Sequence, residues 1–407
     1  MQKYRYLTIN KDEFVILIFI LGLMFFDNGT VIMRFLKTFL FFYALLKCFR
    51  KGMSKVDKYV MWMCSFLIYS SLSILWAKYT DVTVEASFTL LLNCLCLWAL
   101  YSLITINKSR ISDKLKIILR WIPAFSIFFF VRMFIEHGFA LFSGARNIEA
   151  AASSMHNNMG AYAAISISIA FFSLISKKIF ENRFLCYIAL FANIFILVIS
   201  GSRKSVLYAL IPIVIILIMR SNNPLKVLRN IMVSLGIVAV SYYLTMNYDF
   251  FYSLLGNGIR TMVRGMLGLS TDESTAGRLR VIEWGLQIYK EHTWFGIGLE
   301  GFKMQHMSSY GVQMIADNNY IELLVDLGAF GLVIYYSFYF VVIKKLIRKL
   351  LFNRNIYYVF SFALLISIII CDYGCCSYKD LFIQILLMII FIITRYGIDN
   401  ELPNYDN

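Results

Sequence analysis

FLCYIALFANIFILVIS (184–200), GSRKS (201–205) and VLYALIPIVIILIM (206–219) follow one another without a break. The flanking segments are continuous apolar runs, long enough or nearly so to cross a hydrocarbon layer of ~30 Å. In lipid only helices or closed barrels satisfy the backbone internally, and runs this continuous mean helices. The stretch therefore reads as two membrane helices joined by a tight turn that holds Arg203 and Lys204. Two cations at such a joint need a reason.

Working outward, the same pattern fills the chain. Apolar runs cover 13–27, 30–49, 58–76, 84–105, 114–135, 158–177, 184–200, 205–219, 228–247, 318–343, 356–371 and 380–396, which predicts about twelve membrane-spanning helices. The 407 residues are 60% hydrophobic and 17% aromatic, with a mean hydropathy of +0.70. That excludes an ordinary soluble globular protein. The predicted fold class is all-α and polytopic, and four prolines suit long uninterrupted helices. The first run lacks a small-residue cleavage site after it and is expected to be a retained helix.

Lys and Arg set the orientation. Clusters such as Lys47/Arg50/Lys51/Lys55, Lys108/Arg110/Lys114/Lys116 and Lys344/Lys345/Arg348/Lys349 alternate with sparsely basic turns. The positive-inside rule then puts both termini in the cytoplasm. The net charge of +15 is mostly topology, and no nucleic-acid partner is expected. Eight cysteines form no disulfide framework. Cys48, Cys64, Cys94, Cys96 and Cys186 read as small apolar packing residues, and Cys371, Cys375 and Cys376 meet at an outer turn where a pair is open. The four histidines show no metal-ligand spacing, so no metal and no cofactor are expected.

Three regions follow: helices over 1–247, a large outer loop over 248–317, and helices with a cytoplasmic tail over 318–407. A connection that long among short turns is usually functional. Within it, 279–291 predicts a helix with Ile282, Leu286 and Tyr289 on one face, capped by Ser274 or Thr275. The stretch 257–267 sets Arg260 and Arg264 four apart, as in a helix lying on the membrane surface.

Polar clusters far apart in sequence share the outer side. They are Arg203 with Lys204, Arg278 with Arg280, Asp317 with Asn318, and HNNMG at 156–160. Polar groups at a membrane mark function by default. Each also has a plainer reading. Arg203 and Lys204 can be interfacial anchors. Asp317-Asn318 and His156-Asn157-Asn158 can be helix caps, and Arg278 can pair with Glu273 or Glu283. GIGLEG at 296–301 fits G-x-G-x-x-G, but a dinucleotide site needs a preceding strand and a βαβ unit. Here the motif follows a helix-like stretch in an outer loop, which removes the nucleotide reading.

In order and sidedness these motifs resemble the O-antigen ligase and polymerase superfamily, whose members are membrane glycosyltransferases using polyprenyl-diphosphate-linked glycans. The resemblance rests on Gly201-Ser202-Arg203 after a span and Gly277-Arg278 in the large loop. It continues through Phe295-Gly296-Ile297-Gly298 with Phe302, then Asp317-Asn318-Asn319-Tyr320-Ile321 and Asp326-Leu327-Gly328-Ala329-Phe330-Gly331. Asn157-Asn158 with Gly160 matches an earlier element. The resemblance covers about 150–335 and departs from the family at two places. Asp317 stands where ligases carry His, and Ile282 stands where a Trp is common, with Trp284 two further on. The second departure leaves Arg278 and Arg280 both open as the loop arginine, although spacing back from Gly296 favours Arg278.

The resemblance implies a GT-C-like fold and a bacterial inner-membrane enzyme with its active site on the periplasmic face. It implies a metal-independent, inverting transfer from undecaprenyl diphosphate. Arg203 and Arg278 would grip the diphosphate, since a guanidinium fork matches phosphate oxygens. Asp317 would act as base, or bind sugar hydroxyls. Lys204, Arg280, Asn318, Asn158 and Ser202 are expected to touch substrate, and Tyr310 and Tyr320 are candidates for stacking on sugar rings. Expected partners are an undecaprenyl-diphosphate-linked oligosaccharide, the lipid bilayer and a chain-length regulator. Asp in place of His leans the expectation toward an O-antigen or capsule polymerase, with a ligase to lipid A core as the alternative. A flippase is the rival of a different class. It predicts repeated halves and charged spans, whereas there is no internal repeat and only Arg34, Lys37 and Arg132 stand out within spans.

Overall fold

The computed structural model describes residues 9–26, 30–51, 57–143, 150–177, 179–180, 182–220, 223–257, 259–260, 264, 273–353 and 355–397. Among these there is no strand. Helices α1 (Lys11–Phe25), α2 (Val31–Lys51), α3 (Lys58–Leu72), α4 (Thr80–Thr105), α5 (Ile111–His137) and α6 (Ala150–Ser176) follow in order. Next come α7 (Arg183–Ile199), α8 (Arg203–Met219), α9 (Pro224–Asn247), α10 (Glu273–Glu291) and α11 (Gly301–Tyr310). The last are α12 (Asn319–Phe352), α13 (Ile356–Cys371) and α14 (Leu381–Tyr396).

Each predicted span coincides with one of α1–α9 or α12–α14. Six described helices are long and apolar enough to cross a membrane by length and composition, and α7, α13 and α14 are shorter apolar helices. The chain is an all-helical, polytopic membrane protein. Many helices begin at Asn or Asp, whose side-chain oxygen accepts the first free N–H groups. Asp57, Asn182, Asn223, Asn318, Asn355 and Asp380 do this at α3, α7, α9, α12, α13 and α14. The centre is aromatic: Trp62 stacks on Phe338 at 4.6 Å, and its indole N–H donates to the carbonyls of Ile334 and Tyr335. Such pairs add to the area they bury.

The large loop has its own small core. Val281, Ile288, Ile297, Phe302 and Ala316 pack on Ile321 and Val325 of α12. Of the face predicted for α10, Ile282 and Tyr289 pack at the edge of this core but Leu286 is exposed, so the buried face is turned somewhat from the predicted one, toward Val281 and Ile288. Gly285 explains the turn, because a Cβ there would stand 2.6 Å from Ile321. The helix presents its smallest residue at the closest approach. The surface helix predicted at 257–267 lies largely outside the described residues.

Candidate active site

The turn that opened the question is shorter than it reads, because α8 begins at Arg203 itself. A Cβ on Gly160 of α6 would lie 2.6 Å from the Ser200 and Ser205 hydroxyls. So α6 packs directly on the turn, and only glycine allows that approach. Ser202 is buried in this contact and accepts a hydrogen bond from Ser205 at 2.8 Å. Asn157 and Asn158, just before Gly160, are thereby carried to the same end of the bundle as Lys204.

A second device positions the loop. Residues 293–299 run as a strap between the α3–α4 corner and a break in α12. On one side, Trp76 Nε1 donates to the Phe295 carbonyl at 2.9 Å and the Lys78 amide to Ile297 at 3.0 Å. On the other, the Ile297 and Gly298 amides donate to Val325 and Asp326 at 2.9 Å each, and the Ala329 amide donates back to Thr293 at 2.9 Å. The break sits at Gly328, with φ +69°. A Cβ on Gly328 would lie 2.3 Å from the Trp294 carbonyl, and one on Gly296 (φ +70°) 2.5 Å from the Asp326 carbonyl. Two left-handed glycines thus let strap and helix touch backbone to backbone. The Asp326 carboxylate completes the joint. It accepts from the amides of Glu300 (3.0 Å) and Phe302 (2.8 Å), which open α11, and from the Tyr378 hydroxyl (2.8 Å).

Asp317 follows at the start of α12, with a left-handed φ of +50°. Aspartate tolerates that region better than most residues, and such strain gathers at functional sites. Its carboxylate is held from two sides: Lys204 Nζ lies 3.3 Å from Oδ1, and Arg278 Nη2 lies 3.4 Å from Oδ2. Lys204 also donates to the Gly374 carbonyl at 3.0 Å. Three segments far apart in sequence therefore converge on one carboxylate. It faces a cavity of about 390 Å³. Arg132, Lys204 and Lys379 stand in its polar wall, and Phe25, Phe26 and Phe129 in its apolar one.

Lys379 is the centre of a denser cluster. Its ammonium lies 2.7 Å from Glu300, against Glu322, and 4.0 Å from Asp326. Burial works against its charge, but Glu322, Glu300 and Asp326 hold its pKa well above the ordinary lysine value. Cys376 donates its thiol to Glu322 Oε2 at 2.7 Å. Burial, then the Glu322 carboxylate, pushes that thiol well above its ordinary pKa.

The structure thus gathers Lys204, Arg278, Asp317 and Asn158 at one cavity. Arg203 is half-buried at the first position of α8, and the cavity takes Lys204 rather than Arg203 into its wall. Of the two loop arginines it is Arg278 that reaches Asp317, while Arg280 is exposed further along α10. Asn318 is buried, and its side chain accepts from the amides of Tyr320 and Ile321, so it works as the α12 cap. Tyr320 stacks on Tyr336 at 5.0 Å and donates to Ile369, which covers one face of its ring, whereas Tyr310 meets Trp284 edge-on and stays exposed. All eight cysteines are free, including the outer three for which a pair was open. The sequence reading missed Lys379. Its signal was there: a lysine on the sparsely basic side breaks the positive-inside pattern.

Residues 188–336 match the family model for O-antigen ligase, Wzy_C. The match runs from α7 into α12 and takes in the turn, Arg278, the strap, Asp317 and the Gly328 break. It bears out the resemblance to the O-antigen ligase and polymerase superfamily. The Asn157-Asn158 element lies outside it. No curated protein matches the chain.

Proposed function

We propose that this protein is a polysaccharide polymerase that moves a glycan from a polyprenyl diphosphate to a sugar hydroxyl of another lipid-linked repeat unit. One observation carries the reading: the Asp317 carboxylate sits between Lys204 and Arg278 at a cavity with a cationic wall and an apolar wall. An amphiphilic donor fits that division, with its diphosphate toward Lys204, Arg132 and Lys379 and its prenyl chain along Phe25, Phe26 and Phe129. In the transfer the anomeric C–O bond breaks and its electron pair goes to the diphosphate. The acceptor oxygen forms the new C–O bond and its proton passes to a base. Preorganised cations in a water-poor site stabilise the charge that develops on the leaving group. Asp317 is the carboxylate placed to take the proton. Lys204 and Arg278 fix its orientation, and a departing diphosphate would compete for both cations. The site would lie on the outer face of a bacterial cytoplasmic membrane, with both termini inside. The family match, described as O-antigen ligase, favours a second reading in which the acceptor is lipid A core.

The test is a glycan ladder from a null strain complemented with wild type, Lys204→Ala, Arg278→Ala or Asp317→Ala, with lipid-linked repeats assayed beside it. The polymerase reading expects a ladder from wild type and at most one repeat per carrier from variants that still fold. Long polymer accumulating on the carrier would instead identify a ligase. Three variants indistinguishable from wild type would remove the site.

A further inference from the structure

A second cavity, of about 510 Å³, adjoins the first. That falls within the ~300–1,000 Å³ typical of ligand sites. It runs as a groove along α4, where Glu85, Thr89 and Asn93 recur every fourth residue and so share one face. At ~1.5 Å of rise per residue the stripe extends about 12 Å down a membrane-spanning helix. Glu85 and Thr89 are exposed, and Asn93 closes the inner end. Lys37, buried within α2, donates to Asn93 Oδ1 at 2.8 Å, which turns the amide and leaves its NH₂ to donate elsewhere. Glu300, Lys303, Tyr378 and Lys379 form the facing wall. Hydrocarbon solvates none of these groups, so a polar stripe at this depth implies a polar occupant. Lys379 stands in the wall of both cavities, which places the two occupants side by side.

We propose that this groove binds the sugar rings of the acceptor glycan, an inference that rests on the transferase reading above. The charges divide the roles. In the first cavity Lys204 and Arg278 share the single carboxylate of Asp317, and Arg132 stands beside them on Glu136, so a diphosphate has cations to draw on there. In the groove Glu85 and Glu300 balance Lys303 and Lys379, and Thr89 and Asn93 add neutral donors and acceptors. A balanced set of this kind suits a neutral, hydroxyl-rich ligand. Val82, Ala86 and Leu90 lie between the polar positions and give the C–H faces of sugar rings a surface. A prenyl chain in the same place would leave two carboxylates, an amide and two ammonium groups facing hydrocarbon.

The experiment uses the purified full chain in detergent. The donor is the lipid-linked repeat unit that accumulates in a strain lacking this protein. The acceptor is the same oligosaccharide released from its carrier and tagged with a fluorophore, so that transfer onto it is read apart from transfer onto a second lipid-linked unit and the two KM values separate. Wild type is assayed first, and failure to consume the lipid-linked donor would overturn the transferase reading and this inference with it. Given transfer, Thr89→Trp fills the groove and Lys303→Ala removes a donor from its wall. Each is expected to raise the acceptor KM at least tenfold while the donor KM stays within twofold. Phe88→Trp places the same indole ring one residue away on the exposed face and should change neither. An acceptor KM within twofold of wild type for both variants, or a donor KM that rises in step, would overturn the proposal.

Discussion

Replacing Asp326 with Asn changes one atom and no shape, yet the structure predicts that it loosens the loop over the site. Oδ1 accepts the Phe302 amide, while Oδ2 accepts the Glu300 amide and the Tyr378 hydroxyl. An Asn side chain offers one acceptor and one donor. Whichever way the amide turns, its NH₂ faces at least one backbone N–H that was a hydrogen-bond donor. Asp326 and Phe302 are fully buried and Glu300 is half-buried, so water replaces the lost acceptor poorly at best. An unmet buried group costs ~1–3 kcal/mol, and about 2 kcal/mol is the expected local loss. The joint also loses a carboxylate oxygen 4.0 Å from Lys379. At ~1.4 kcal/mol per factor of ten, amides in 296–302 should exchange with deuterium about 25-fold faster when opening is local. Hydrogen exchange by mass spectrometry on the purified protein reads this directly, with peptides of α7 and α13 as internal controls. Exchange in 296–302 within about threefold of wild type, on the same local-opening basis, would refute the account of Asp326 as the clamp.

Three further outcomes follow from the same geometry. Gly328→Ala forces a left-handed alanine against the Trp294 carbonyl, so it should destabilise by more than the ~1–2 kcal/mol of the backbone strain alone, measured by unfolding in mixed micelles. Gly160→Ala places a methyl group 2.6 Å from two serine hydroxyls; over-packing of this kind costs ~1–3 kcal/mol, and the double change with Ser205→Ala should recover part of it. Cys376, the only cysteine kept, should react slowly with a small maleimide at pH 8, because the thiolate is the reactive form and burial and Glu322 hold the thiol well above its ordinary pKa; labelling as fast as that of a free cysteine peptide would remove the Glu322 contact.

Most of the bundle was legible because lipid makes the sequence pattern severe. A span must be apolar throughout and satisfy its own backbone, so each predicted run met a helix. Lys204, Arg278 and Asp317 were legible for the related reason that charge at the end of an apolar run stands out. The break in α12 was not. A single glycine inside an apolar helical pattern is usually tolerated, and Gly328 becomes a break only because Trp294 presses on it from thirty-odd residues away. Asp326 stood out only as part of a family motif, and what it and Glu322 hold was unreadable for the same reason, since their partners, Lys379, Tyr378 and the α11 amides, come from the last hairpin and the loop. GIGLEG shows how pattern and structure can differ without the pattern being empty. Its glycines bend the chain so that backbone amides around a short helix N-terminus point together, which is what an anion-binding loop does. The anion here is Asp326, supplied by the chain itself. The spacing that would cradle a phosphate in a strand-turn-helix unit instead fastens the loop to α12, with the Lys379 cluster at the boundary between two cavities.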